Sequence, residues 1–185
     1  MGGQLRQSKD DGVEAIMVFG RKTDVDSKRD KHGHIHVGIG ELVVDMAPVQ
    51  LTTVLGSCIA LALYVPTKKI GGLAHILIQG DDDSGSLKYS GPATRALLAH
   101  IREKTSPADI IVAKLAGGAS NTFADDNSLL RHLGKRTMLH VVGILVDEGI
   151  DIYGMHVGGS AGRNIVFDLT SGQLEVRVGG EMIVI

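Results

Sequence analysis

The fold is decided by a stretch that runs from Thr52 to His75 and reads TTVLGSCIALALYVPTKKIGGLAH. This stretch holds Cys58, the only cysteine in the 185 residues. Small and large apolar side chains alternate over residues 58–63, which is the period of a β-strand. Residues 71–78 form a second apolar run of strand length. The stretch therefore predicts two neighbouring strands joined as a hairpin.

The turn at Pro66 sets the register of this hairpin, since the proline ring presets the φ that the second turn position needs. A turn centred between residues 66 and 67 places Cys58 directly opposite His75, with Cβ atoms roughly 5 Å apart. A loop two residues longer makes them diagonal neighbours on the same face, about 7 to 8 Å apart, whereas a one-residue bulge separates them. The longer loop stays open because proline cannot take the positive φ of the tightest hairpin turns.

Cys58 and His75 form a candidate nucleophile and base. A thiol attacks as its thiolate, and a neighbouring imidazole is expected to lower the pKa of the thiol by sharing its proton. Taken alone, a single cysteine in an apolar run is more often a small buried hydrophobe. A histidine in an apolar run is similarly more often a satisfied core residue. The hairpin register favours catalysis because it puts both side chains on one face.

Other residues are candidates for supporting roles. The Gly56-Ser57-Cys58 bend is a candidate oxyanion site, since glycine lets backbone N–H groups aim at a developing negative charge. The tight loop at Gly117 and Gly118 is a second segment that could line the site and contribute to oxyanion or substrate binding. A third group usually orients the base of such a site, and Thr52 is the candidate. A straight strand would hold Thr52 about 20 Å from Cys58, so the chain must fold at this bend.

These residues resemble those of the CheD family, the chemoreceptor glutamine deamidases of bacterial and archaeal chemotaxis. The resemblance implies that Cys58 is the nucleophile, His75 the base and Thr52 the residue that supports the histidine. A cysteine and histidine pair can perform both acyl-transfer steps, so no metal or organic cofactor is expected. The matching segments are residues 37–41 (VGIGE), Thr52 with residues 55–58, residues 72–75, 88–89 and 113–119, and Gly158-Gly159 with Gly162-Arg163.

The resemblance implies that the protein converts glutamines on chemoreceptor helices to glutamate through a thioester on Cys58. It also implies binding to a CheC-type phosphatase. One alternative is a binding regulator that docks on and stimulates such a phosphatase with weak or no deamidation. Another is a more general cysteine amidase or peptidase. Substitution of Cys58 separates an enzyme from a regulator, because binding does not need the thiol.

Composition bounds the class of protein. The 185 residues are 43% hydrophobic and 22% charged, which suits one globular domain. A net charge of −2 gives no electrostatic reason to expect nucleic acid or an anionic membrane as a partner. The longest apolar run is far below the roughly 20 residues that span a bilayer, and a single cysteine suits a reducing compartment. We therefore expect a cytoplasmic protein without membrane insertion.

Two regions are expected along the chain. Residues 1–36 are predicted to be a flexible or partner-docking extension because residues 21–31 are strongly charged, although residues 15–19 are a candidate extra strand. Residues 37–185 are predicted to form a CheD-like deamidase domain.

Two helices and roughly eight strands are expected in this domain. The first helix opens at Gly91-Pro92, and strand-like alternation on both sides of residues 170–172 predicts a closing hairpin. The second helix is indicated by an apolar face of Met138, Val141, Val142, Leu145 and Val146. Helices and strands do not alternate regularly, so the predicted class is α+β, with an α/β/β layering of mixed sheets and both helices on one side. The CheD family and the toxin-type cysteine deamidases are similar to this arrangement.

Overall fold

The computed structural model describes residues 17–19, 30, 33–81, 83–120 and 132–185. Eleven strands and two helices lie in these residues, and both predicted helices are confirmed. In chain order they are β1 Met17–Phe19, β2 Ile35–His36, β3 Leu42–Met46, β4 Gln50–Leu55, β5 Ile59–Val65, β6 Ile70–Ile76, α1 Ser90–Glu103, β7 Val112–Gly117, α2 Leu133–Asp147, β8 Asp151–Val157, β9 Arg163–Asp168, β10 Leu174–Val178 and β11 Glu181–Val184.

The strands form two mixed sheets. One has six strands in the order β1-β3-β6-β5-β7-β8, and the other has five in the order β11-β10-β9-β4-β2. Neighbouring strands are antiparallel except for the pairs β7 with β8 and β2 with β4. Both helices pack on one face of the six-stranded sheet, and the five-stranded sheet covers its other face. This α/β/β layering confirms the predicted fold class.

Strand β5 lies at the centre of the molecule and is buried along its whole length. Its odd-numbered residues, such as Ile59 and Leu61, pack towards the helices. Its even-numbered residues, such as Ala60 and Ala62, pack towards the five-stranded sheet. A strand covered on both faces is apolar without interruption, which accounts for the run that the sequence shows here. Side chains at even positions of this strand therefore point into the space between the two sheets.

The hairpin of β5 and β6 has the longer of the two loops considered. Val65 pairs with Ile70, so residues 66–69 form the loop, and Ala60 lies opposite His75. The prediction that Cys58 lies directly opposite His75 is therefore wrong. The alternative register is confirmed, because a shift of two residues makes Cys58 the diagonal neighbour of His75 and leaves both side chains on one face.

Several other elements follow the predictions with shifted bounds. The closing hairpin is confirmed, with Phe167 opposite Leu174. Helix α2 starts at Leu133, before the predicted apolar face, and Val146 near its end is 66% exposed rather than part of that face. Val146 lies eight residues beyond the first residue of the apolar stripe, where the 3.6-residue period has turned the side chain towards its edge. Neither described helix is long and apolar enough to cross a membrane.

Two short strands precede residue 37. β1 pairs with β3, which confirms the candidate strand at residues 17–19, and β2 pairs with β4. Ile35 in β2 is fully buried between the sheets. These strands belong to the folded layers, although they lie before the predicted boundary. Most of the charged segment at residues 21–31 lies outside the described residues.

A glycine in β6 tests how tightly α1 packs on the sheet. A Cβ at Gly72 would lie 2.7 Å from Leu97 Cδ1 and 2.8 Å from the carbonyl oxygen of Val43. The backbone oxygen cannot withdraw, so we expect Gly72→Ala to lower the free energy of unfolding by about 1 to 3 kcal/mol. Urea unfolding followed by circular dichroism measures the change.

Gly143→Ala is the matched control for this substitution. Gly143 is exposed within α2, and a Cβ there would meet nothing within 4 Å. Alanine in a helix interior is more favourable than glycine by about 0.5 to 1 kcal/mol, so this variant should be more stable than wild type. Equal destabilisation of the two variants would contradict the packing argument.

Candidate active site

Cys58 lies where the chain crosses from one sheet to the other. Strand β4 belongs to the five-stranded sheet and β5 to the six-stranded sheet, and only residues 56–58 connect them. The predicted fold of the chain at Gly56-Ser57 is therefore confirmed. Cys58 is 6% exposed and packs in the core between the sheets. This places the thiol at the start of the central strand, on the inner face.

The loop after β7 is hydrogen-bonded to the backbone of residues 56–58, where the chain crosses between the sheets. Gly118 N–H donates to the carbonyl of Cys58 at 2.8 Å, and Ala119 N–H donates to the carbonyl of Gly56 at 3.0 Å. Gly117 has a φ of 113°, and a Cβ there would collide with the carbonyl oxygen of Cys58. Gly117 and Gly118 therefore lie against the backbone of Cys58. Since the N–H of Gly118 already has an acceptor, its role is to hold the bend rather than to bind an oxyanion.

The first turn of α2 meets the same bend. A Cβ at Gly134 would collide with the backbone of Gly118 and would lie 2.8 Å from the carbonyl oxygen of Ser57. The amino end of the helix thus packs backbone to backbone against the crossing, which only glycine allows. A cavity of about 240 Å³ opens beside this contact, between Gly118 and the side chains of Lys135 and Met138.

None of the three backbone N–H groups of the bend, those of Gly56, Ser57 and Cys58, has a hydrogen-bond acceptor in the described part of the chain. The N–H of Cys58 lies close to its own thiol, where it acts to lower the pKa of that thiol. A negative oxygen on a carbon bonded to the Cys58 sulfur would form next to this N–H group. Ser57 and Cys58 are therefore better placed as oxyanion donors than Gly117 or Gly118.

His75 is 3% exposed, and one side of its ring is tightly held. Its Nδ1 lies 2.8 Å from Thr53 Oγ1 and 3.3 Å from the carbonyl oxygen of Val37. The Thr53 hydroxyl donates its own hydrogen to that carbonyl at 2.7 Å, so it accepts from Nδ1–H. This assigns the proton to Nδ1 and a lone pair to Nε2, which has no partner among the described residues. A buried imidazole with an open lone pair can act as a base.

The threonine that holds this ring is Thr53, not the expected Thr52. Along β4 the residues Leu51, Thr53 and Leu55 are buried and point between the sheets. Thr52 lies on the opposite face, and its hydroxyl is 3.5 Å from the carbonyl oxygen of Ile35. The structure thus joins Thr53 to His75 by a hydrogen bond and places Cys58 in the core between the same two sheets, and it leaves Thr52 on the other face of its strand. The buried leucines on both sides of Thr53 are the sequence signal that identifies it, since strand side chains alternate.

Burial sets the charge state of the pair. It raises the pKa of the Cys58 thiol, which is opposite to the lowering expected from the imidazole. It also lowers the pKa of His75, because a buried imidazolium loses its hydration. Both shifts disfavour charged forms, so the resting pair is a neutral thiol and a neutral imidazole.

The layered fold, with a buried cysteine just before β5 and a buried histidine in the adjacent β6, defines an α+β protein with a candidate cysteine-histidine site. A family model described as CheD chemotactic sensory transduction matches residues 76–178. The chain is 38% identical over 151 residues to a probable chemoreceptor glutamine deamidase CheD of Clostridium novyi, with 79% of this chain and 93% of the relative covered. It is 37% identical over 152 residues to a protein of the same name from Archaeoglobus fulgidus, with 80% and 96% covered. The chain belongs to the CheD family, as the resemblance indicated.

The two neighbouring threonines provide a matched test of the site geometry. Thr53→Val removes the hydroxyl that joins Val37 to His75 and leaves buried polar groups without that partner. We expect it to lower the free energy of unfolding by about 1 to 3 kcal/mol. Thr52→Val removes only a long contact on the half-buried face, so its effect should stay within about 0.5 kcal/mol. Urea unfolding of both variants measures the two changes in free energy. A larger decrease in Thr52→Val than in Thr53→Val would contradict the assignment of Thr53 as the residue that holds His75.

The lowered pKa of His75 also predicts how stability depends on pH. In the unfolded chain the imidazole titrates near its ordinary pKa of about 6.5, so between that value and the lower folded pKa the unfolded state binds more protons. Stability from this group is thus present above about pH 6.5 and is lost as the pH falls through the folded pKa. Unfolding free energies measured from pH 8 down to about pH 5 should fall less steeply in His75→Gln than in wild type. Thr52→Val changes no titratable group and is the control, so it should keep the wild-type slope.

Proposed function

We propose that this protein converts glutamines on chemoreceptor helices to glutamate, with Cys58 as nucleophile and His75 as base. The observation that carries the proposal is a buried imidazole on the same face as a buried thiol, with an Nε2 that has no partner within the residues that the structure describes. The substrate class follows the name given to its relatives, chemoreceptor glutamine deamidase. Membership of the same family supports the transfer of that substrate class to this chain.

The first half of the proposed reaction forms a thioester. Nε2 of His75 takes the thiol proton as the sulfur of Cys58 attacks the carbon of the glutamine side-chain amide. A sulfur–carbon bond forms, and the negative oxygen is stabilised by the N–H groups of Cys58 and Ser57. The carbon–nitrogen bond then breaks, and His75 returns its proton to the departing nitrogen, which leaves as ammonia.

The second half hydrolyses the thioester. His75 takes a proton from a water molecule as the water oxygen attacks the acyl carbon. The sulfur–carbon bond then breaks, and His75 gives that proton to the departing sulfur, which regenerates the Cys58 thiol and the neutral imidazole. The sum is one amide and one water converted to one carboxylic acid and one ammonia. Throughout both halves the Nδ1 proton stays directed at Thr53 Oγ1 and the Val37 carbonyl, which stabilise the transient imidazolium.

The resemblance to the CheD family also implies docking on a CheC-type phosphatase, and this stays a prediction. A regulator that only docks would retain its binding without the thiol. The deamidase needs the thiol for every turnover. The two functions are therefore distinguished by a Cys58 variant that folds and binds normally.

Mass spectrometry of a substrate tests the enzyme directly. A cytoplasmic fragment of a methyl-accepting chemoreceptor is incubated with wild-type protein, and peptide sequencing locates any gain of about one dalton, the change from amide to acid. We expect gains at defined glutamines with wild type. In Cys58→Ala the rate should fall by at least about 1,000-fold, since a missing nucleophile leaves only weak residual catalysis.

Binding to the same receptor fragment is measured in parallel for both proteins. A Cys58→Ala protein that still binds the fragment but no longer changes its mass supports the proposal. A wild-type protein that binds the fragment and leaves its mass unchanged contradicts it and favours the docking regulator.

A further inference from the structure

The backbone of His75 is held on both sides by one short turn. Gly40 N–H donates to the His75 carbonyl at 2.9 Å, and His75 N–H donates to the Glu41 carbonyl at 3.0 Å. The segment that enters this turn carries the Val37 carbonyl, the same oxygen that lies 3.3 Å from Nδ1 of the ring. The turn at residues 37–41 therefore contacts both the main chain and the imidazole of His75.

A carboxylate closes this turn. Gly38 N–H donates to Glu41 Oε2 at 2.9 Å, and Glu41 N–H donates back to the Gly38 carbonyl at 3.1 Å. A Cβ at Gly38 would lie 3.0 Å from the same carboxylate oxygen, so the missing side chain leaves room for the carboxylate to fold over the turn. Hydrogen bonds to an ionised acceptor are about twice as strong as those between neutral groups.

One peptide unit links this carboxylate to the base. The Gly38 N–H and the Val37 carbonyl belong to the same planar peptide, so a bond that fixes one group fixes the direction of the other. The Val37 carbonyl accepts from Thr53 and lies within reach of Nδ1–H of His75. Hydrogen bonds in such a chain also polarise one another, which makes the carbonyl a better acceptor for the imidazole.

We propose that Glu41 is a positioning residue, which orients the Val37–Gly38 peptide and through it the Nδ1-protonated ring of His75. This inference rests on the proposed function for its catalytic consequence. Without the carboxylate the peptide keeps its bond from Thr53 but loses the bond at Gly38 N–H, so the Val37 carbonyl is held less firmly towards Nδ1. Misplacement of a catalytic group by about 1 Å can lower a rate by about 100-fold.

The charge of Glu41 adds a separable effect. It raises the pKa of His75 and so opposes the lowering by burial, whereas His36 in β2 acts in the same direction as burial. Cys58 faces the same space between the sheets. A glutamine at position 41 keeps an oxygen that accepts from Gly38 N–H but removes the charge. An alanine removes both, so the two variants separate orientation from charge.

The test compares the deamidation kinetics of Glu41→Ala and Glu41→Gln with those of wild type. We expect Glu41→Ala to lower kcat by at least about 10-fold with KM within about 2-fold of wild type. Glu41→Gln should recover kcat to within about 3-fold of wild type, while the acid limb of its pH profile moves to lower pH. Wild-type kcat in Glu41→Ala overturns the proposal, and so does an equal loss of kcat in both variants.

Asp109→Ala is the matched control. Asp109 Oδ2 accepts from the N–H of Ser106 at 2.8 Å, across the same three-residue spacing as the bond between Glu41 and Gly38. It also contacts Thr67 and Lys68 in the β5–β6 loop, at the end of the hairpin away from Cys58. This variant should keep the wild-type kcat. A loss of kcat equal to that of Glu41→Ala would assign the effect to general destabilisation and overturn the proposal.

A second readout needs no substrate. Nitrogen NMR of the His75 ring distinguishes the Nδ1-protonated from the Nε2-protonated tautomer. Wild type and Glu41→Gln should show the Nδ1–H form, and Glu41→Ala should show a mixture. If wild type deamidates no receptor glutamine, the proposed function fails, yet this mixture in Glu41→Ala alone still supports positioning. An unchanged tautomer in Glu41→Ala overturns positioning whatever the activity is.

Discussion

The site depends on one constraint, which is that the chain changes sheets within residues 56–58. The loop at Gly117 and the first turn of α2 at Gly134 both lie directly against the backbone of residues 56–58. Neither position has room for a side chain. Since β4 ends and β5 begins there, the threonine of one strand and the cysteine of the next face the same space between the sheets. A local backbone contact thus determines the arrangement of side chains from three strands.

Much of this arrangement can be predicted from the sequence because side chains alternate between the two faces of a strand. The period-two pattern predicts that Cys58 and His75 share a face, and that prediction holds for the two-residue and the four-residue loop alike, because the two loops differ by an even number of residues. The length of the loop cannot be predicted from the sequence, since Pro66 fits several kinds of turn. The pairing of Val65 with Ile70 in the structure shows that the loop has four residues. The family resemblance pointed to Thr52, whereas the alternation of Leu51, Thr53 and Leu55 in the same strand selects its neighbour.

Other features of the site depend on what surrounds a residue rather than on its order in the chain. The direction in which the pKa of Cys58 moves follows from burial between two sheets, which the hairpin alone does not indicate. The peptide between Val37 and Gly38 contributes through its backbone, so no side-chain pattern marks it. Glu41 belongs to a segment that the resemblance includes, yet its contact with Gly38 N–H became visible only in three dimensions.

The burial of the thiol has a further consequence for chemical durability. Peroxides and other oxidants react with exposed thiolates, and Cys58 is 6% exposed with a raised pKa, so it presents little of the reactive form. The chain has no second cysteine to convert a sulfenic acid into an internal disulfide. An oxidised Cys58 would need an external thiol for its recovery. The fold therefore protects this thiol by shielding it from oxidants rather than by repairing it.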